Sequence, residues 1–77
     1  MNRQPLYIAH GPGTVISRAS GFVYDEADAI GTAENHLRFA IEHPDAASAE
    51  AHRRLAGEMT AAIRAARNYQ PERLEAA

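Results

Sequence analysis

Four histidines, ten carboxylates, eight arginines and a few hydroxyls are the groups in this 77-residue chain that could bind a metal or move a proton. The histidines are His10, His36, His43 and His52. A zinc site needs three or four converging ligands, and structural sites show recognisable short spacings. Here no His-x₃-His pair occurs. His36 and His43 would share a helix face only if a helix reached His43. We therefore read the histidines as surface or capping residues and expect no metal and no cofactor. Asp25, Glu26 and Asp28 form the tightest group of carboxylates. A catalytic acid needs burial or like-charge crowding to raise its pKa. The start of a helix does the reverse, because the macrodipole favours the ionised form. Capping accounts for these three. Ser17, Ser20 and Ser48 lack a Gly-x-Ser-x-Gly setting. His10-Gly11-Pro12-Gly13 lacks the Gly-Lys-Ser/Thr end of a phosphate loop. The absence of cysteine removes thiolate chemistry. No catalytic constellation emerges, and the chain reads as a non-enzyme.

Charge carries more information than motif. The net charge of −2 conceals a segregation. Across residues 1–24, 25–50 and 51–77 the balance runs +2, −6, +2. The middle segment holds Asp25, Glu26, Asp28, Glu34, Glu42, Asp45 and Glu50 against Arg38 alone. Every basic residue is arginine. Arg53, Arg64 and Arg67 are spaced eleven and three apart, which places them on one helical face. Arg54 stands between Glu50 and Glu58 at i±4, an ordinary helical pairing. A basic helical face can follow phosphates, but nucleic-acid binders are usually basic overall. The net charge argues against direct nucleic-acid binding.

The elements that must position these groups follow from local pattern. Leu6-Tyr7-Ile8-Ala9 and Thr14-Val15-Ile16-Ser17 are β-prone runs around a Gly-Pro-Gly turn signal, and read as a hairpin. Gly21 marks a bulge or a second turn. Phe22-Val23-Tyr24 then continues the second strand or adds a third. Asp25 is a good N-cap for a helix over 26–42. Gly31 weakens that helix, and Thr32 offers a later start. Ile30, Ala33 or Glu34, Leu37 and Ile41 recur near the helical period. Pro44 ends the helix, since the residue before proline avoids helical geometry. Asp45 caps a long helix over 46–67. Its apolar stripe is Ala47, Ala51, Leu55, Met59, Ile63 and Ala66, with Leu55, Met59 and Ile63 as the expected buried residues. Gly57 in its middle suggests a close approach to a neighbour, and Asn68 closes it. Residues 69–77 form a tail broken by Pro71. The fold class is α+β: a small antiparallel sheet of two or three strands over 5–24, then two helices, the second long, in one domain over 1–77.

Seventeen alanines and a short chain make a thin core. No run approaches the roughly 20 apolar residues of a membrane span. Nor does the start of the chain show the apolar region of a signal peptide. We expect a cytoplasmic protein.

The leading functional expectation is a protein-binding or inhibitory module. Its partner-facing residues would be Asp25, Glu26, Asp28, Glu34 and Glu42, fitting a partner with a basic surface. In its acids, size, lack of cysteine and sheet-plus-helices plan, the chain resembles the small phage-encoded anti-CRISPR proteins. That resemblance implies binding to a CRISPR effector complex in competition with DNA. Those proteins share no common motif, so it assigns no residue. The alternatives are a small DNA-binding regulator using Arg53, Arg64 and Arg67, or a homodimer paired through its long helices.

Overall fold

The computed structural model of the chain describes residues 4–69. Residues 70–77, which include most of the expected tail, lie outside the described residues, as does Arg3. Three strands are present: β1 (Tyr7–Gly11), β2 (Thr14–Ser17) and β3 (Val23–Asp25). They form one antiparallel meander in the order β1-β2-β3. The first turn uses Gly13 at φ 68°, a conformation glycine adopts without a Cβ penalty. A register shift between Ala9 and Gly11 absorbs the extra residue before it. Gly21, at φ 79°, is a second turn and not a bulge. Its N–H donates to the Ser17 carbonyl at 2.8 Å.

Two helices follow, α1 (Glu26–Glu42) and α2 (Ala46–Arg67). Both caps are aspartates. Asp25 accepts from the Asp28 N–H and Asp45 from the Ser48 N–H, each at 2.8 Å. Helix α1 starts at Glu26, not at Thr32. The Thr32 hydroxyl instead donates to the Asp28 carbonyl inside the helix. His43 ends α1 in an extended conformation, as the following proline requires. Asn68 closes α2, its side-chain amide donating to the Arg64 carbonyl at 3.0 Å.

Alternation assigns the two sheet faces. Tyr7, Ala9, Val15, Ser17 and Tyr24 turn toward the helices, with Tyr7, Val15 and Ser17 buried. Met59 and Ile63 of α2 and Ala29 and Ala33 of α1 meet them in the core. The hairpin tip is tied to the end of α2, because the Gly13 N–H donates to the Ala66 carbonyl at 3.1 Å.

Two helical stripes differ from expectation, for one reason. In α1 the buried residues are Ala29, Ala33 and Ala40, whereas Ile30, Leu37 and Ile41 are exposed. In α2 the buried residues are Ala49, Ala56, Met59, Ala62, Ile63 and Ala66; Leu55 is half-buried, and Ala47 and Ala51 are exposed. Close helix packing selects the smallest side chains for the seam. Hydropathy ranks the larger residues first and so rotates the expected face. Gly57 makes no close approach among the described residues, because the space where its Cβ would stand is open.

Candidate functional site

The structure divides the expected acidic face. Asp25 spends one carboxylate oxygen on its cap. Glu26 is bound by Arg67 across 41 residues, Oε2 to Nη2 at 2.7 Å. That guanidinium holds the Glu26 carboxyl below its ordinary range. Asp28 lines a shallow hollow with Phe22 and Tyr24 beside β3. Glu34 stands on the other flank of α1, in a cleft with Ile30, Leu37, Arg64 and Arg67. Glu42 is the exposed last residue of α1. Asp25, Glu26 and Asp28 thus remain at the β3–α1 junction, with Glu26 tied to Arg67, while Glu34 and Glu42 lie elsewhere along α1.

The arginine face is partly committed as well. Arg53 binds Glu50 at 2.7 Å, and Arg67 holds Glu26. Arg64 and Arg67 line the α1–α2 cleft with Glu34, so acids and arginines that are segregated in sequence meet in space. The expected pairing of Arg54 does not form. Glu50 goes to Arg53, and Glu58 accepts the Leu6 N–H at 2.7 Å.

Sequence reasoning left two features unread. The first is a polar relay. The Tyr7 hydroxyl lies 3.0 Å from His36 Nε2, and His36 Nδ1 lies 3.0 Å from His52 Nδ1. Phe39 stacks on His52, ring centroids 5.3 Å apart. Burial first, and the neighbouring His52 second, push the His36 pKa down. Burial likewise pushes the Tyr7 phenol up, with Tyr24 adding to the effect. The relay can be satisfied in one direction at a time. If Tyr7 donates to Nε2, His36 must donate from Nδ1 and His52 must accept. This arrangement cross-links the sheet to both helices. Among the described residues no three His, Cys, Asp or Glu side chains gather as a metal site would need. His10, in the first hairpin, takes no part in the relay.

The second feature is the outer face of the sheet. Ile8 pairs with Ile16, and Ile16 pairs with Val23, so the three side chains stand in one cross-strand row. The helices lie on the opposite face. Ile8 and Val23 are 38% and 44% exposed, and Ile16 is half-buried between them. Two residues beyond Val23 on the same face is Asp25. Its carboxylate therefore borders the apolar row. Phe22, 56% exposed, immediately precedes β3 and packs on Tyr24, so its ring lies around the free β3 edge, beside α1.

No helix among the described residues is long and apolar enough to cross a membrane. No protein family, no curated protein and no solved structure matches the chain. The class that the fold defines is a three-stranded α+β domain in which a helical hairpin covers one face of the sheet. Geometry and chemistry alone bear on what it does.

Proposed function

We propose that this chain is a non-catalytic protein-binding module that works by occupying a surface of its partner. The uncovered row Ile8–Ile16–Val23 carries this reading. A small antiparallel sheet often leaves one face in water, and that face is then polar. Here it bears three β-branched apolar residues in register. Contiguous exposed apolar surface rimmed by polar groups is the usual form of a protein-docking site. Around the free β3 edge, Phe22 adds an aromatic anchor, the residue type enriched at interface centres, for an occupant that wraps that edge. Asp25 borders the row itself, and Asp28 stands around the same edge beside Phe22. The complementary partner presents an apolar strip flanked by basic residues. An effector complex that grips nucleic acid in a basic groove is one partner of that chemistry. Covering such a groove would make the module an inhibitor, as the resemblance to anti-CRISPR proteins implies.

Val23→Glu tests this directly. Val23 is exposed on an edge strand, so a charge there leaves the core untouched. We expect the partner captured by the wild-type chain to be lost from Val23→Glu and weakened by Asp28→Arg, with melting temperatures close to wild type. Added salt should weaken capture further, because it screens exposed charges beyond about 8 Å. Undiminished capture by both variants would overturn the assignment.

A further inference from the structure

A groove of about 530 Å³ separates α2 from the free edge of β1. Pro5, Ile8 and Ala9 line the strand side; Gly57, Ala61 and Ala65 line the helix side. Arg54 and Glu58 stand on the helical wall. Ala61 and Ala65 are exposed, and no chain segment among the described residues fills the space. This groove is separate from the α1–α2 cleft and meets the outer sheet row only at Ile8.

Arg54, Glu58, Ala61 and Ala65 line it, and the same helical face continues toward the start of α2 through the exposed Ala51 and Ala47. From Ala47 to Ala65 their spacing is 4, 3, 4, 3, 4, the spacing of a coiled-coil seam. Their order is also self-complementary under reversal about position 56. Ala47 maps onto Ala65, Ala51 onto Ala61, and Arg54 onto Glu58. A two-fold axis makes a residue pair with its mapped partner on the other copy, and the converse. We propose that the chain forms an antiparallel homodimer through α2, with the two-fold axis crossing the seam midway between Arg54 and Glu58. Arg54 then faces the partner's Glu58, and Glu58 faces the partner's Arg54, while alanine meets alanine on both sides.

Three observations support this occupant. Arg54 has no hydrogen-bond or ion-pair partner among the described residues, although Glu50 and Glu58 are both within helical reach. Glu58 uses Oε1 on the Leu6 N–H, which leaves Oε2 for a second donor. The groove also lies at the right place along the helix. Leu6 is bound to Glu58 and Gly13 to Ala66, so β1 flanks the C-terminal half of α2. In the antiparallel register that half faces the N-terminal half of the second α2. The partner's Ala47 and Ala51 therefore fall into the groove walled by Ile8 and Ala9. Alanine at four of the six seam positions permits axial separations near the short end of the usual range of about 8–10 Å. The central charges fix register, because a shifted or parallel pairing brings like charges together or leaves them unpaired.

Sedimentation of the full chain across the micromolar range tests the proposal. The wild type should approach dimer mass. Ala61→Glu should raise the dissociation constant at least about tenfold, a factor equivalent to ~1.4 kcal/mol, with helical circular dichroism unchanged. Arg54→Glu alone and Glu58→Arg alone should each be monomeric, since each sets like charges across the axis. Mixing those two variants should restore a dimer, because every cross-chain pair then becomes opposite. Residues 54 and 58 within each variant remain like-charged, so restoration reports contact between chains. Glu58→Arg also removes the acceptor for Leu6; if that variant fails to fold, Arg54→Glu and Ala61→Glu carry the test. A wild type that stays monomeric would refute the dimer, as would a dimer indifferent to both substitutions. A dimer broken by Val23→Glu but not by Ala61→Glu would place self-association on the sheet face and overturn this inference. Loss of heterologous partner capture in Val23→Glu, with the dimer intact, leaves both assignments standing.

Discussion

Met59→Ala is expected to destabilise the domain by about 2–5 kcal/mol, the range for truncating a large buried side chain. Met59 is fully buried, and its neighbours explain why the cost belongs in the upper part of that range. Ala29, Ala33, Ala62 and Ala66 surround it together with Tyr7, Val15 and Ile63. Alanines have no rotamers with which to fill a void, so the cavity persists. A domain of this length has a total stability of roughly 4–12 kcal/mol. The substitution therefore removes a large share of it and, at the lower end, unfolds the chain at room temperature. Leu55→Ala should do much less, because Leu55 is only half-buried against the same cluster. Urea midpoints for the two variants make the comparison. Equal losses, or a Met59→Ala loss below about 1 kcal/mol, would show that the core is centred elsewhere.

The second large effect belongs to the Tyr7–His36–His52 relay. Tyr7→Phe keeps the ring in place but leaves His36 Nε2 without its partner. Losing a hydrogen bond at this half-buried ring costs about 0.5–1.5 kcal/mol, and each kcal/mol lowers the melting temperature of so small a domain by roughly 4–8 °C. Acid should act on the same site. The His36 pKa is lowered from its ordinary 6.5 by burial and by the neighbouring His52. The fold thus favours the neutral ring, and the unfolded chain takes up the proton more readily. The contribution is complete above pH 6.5 and is lost as the pH falls through the lowered value in the folded state. His43 is the other ionisable group near His52, its ring centroid 6.3 Å away. Glu26 is also held below its ordinary 4.5, so its loss follows at lower pH and is separable. Tyr7 titrates in the opposite direction: its raised pKa favours the neutral phenol in the fold, a contribution lost only as the pH rises above 10.0. Melting temperature followed against pH should show a step near and below 6.5 in the wild type. His36→Gln should flatten that step. A step that survives in His36→Gln would assign it to another histidine.

Strand and helix positions were legible because the punctuation is local and strong. Gly-Pro-Gly, Asp25, Pro44 and Asp45 act on their immediate neighbours, and the elements begin and end beside them. Which helical face is buried was not legible, because alanine is ambiguous in a hydropathy pattern. Ala29, Ala33 and Ala40 are core, whereas Ala47, Ala51 and Ala61 are exposed. The acidic block was visible as a composition. Its dispersal was not, because Arg67 reaches Glu26 from the far end of α2. The relay joins residues 29 and 16 positions apart and leaves no trace in any local spacing. The outer row of the sheet was half visible. Tyr7-Ile8 and Val15-Ile16 are apolar on both alternating positions, a pattern that marks a two-sided strand without saying what covers the second side.

The most direct test of the docking surface is a residue-resolved footprint of the bound partner, read from backbone amide resonances of the full chain with and without it. Perturbations should centre on Ile8, Ile16, Val23 and Asp25 and extend around the β3 edge to Phe22 and Asp28. Perturbations confined to Arg53, Arg64 and Arg67, with the sheet face unchanged, would contradict the docking assignment.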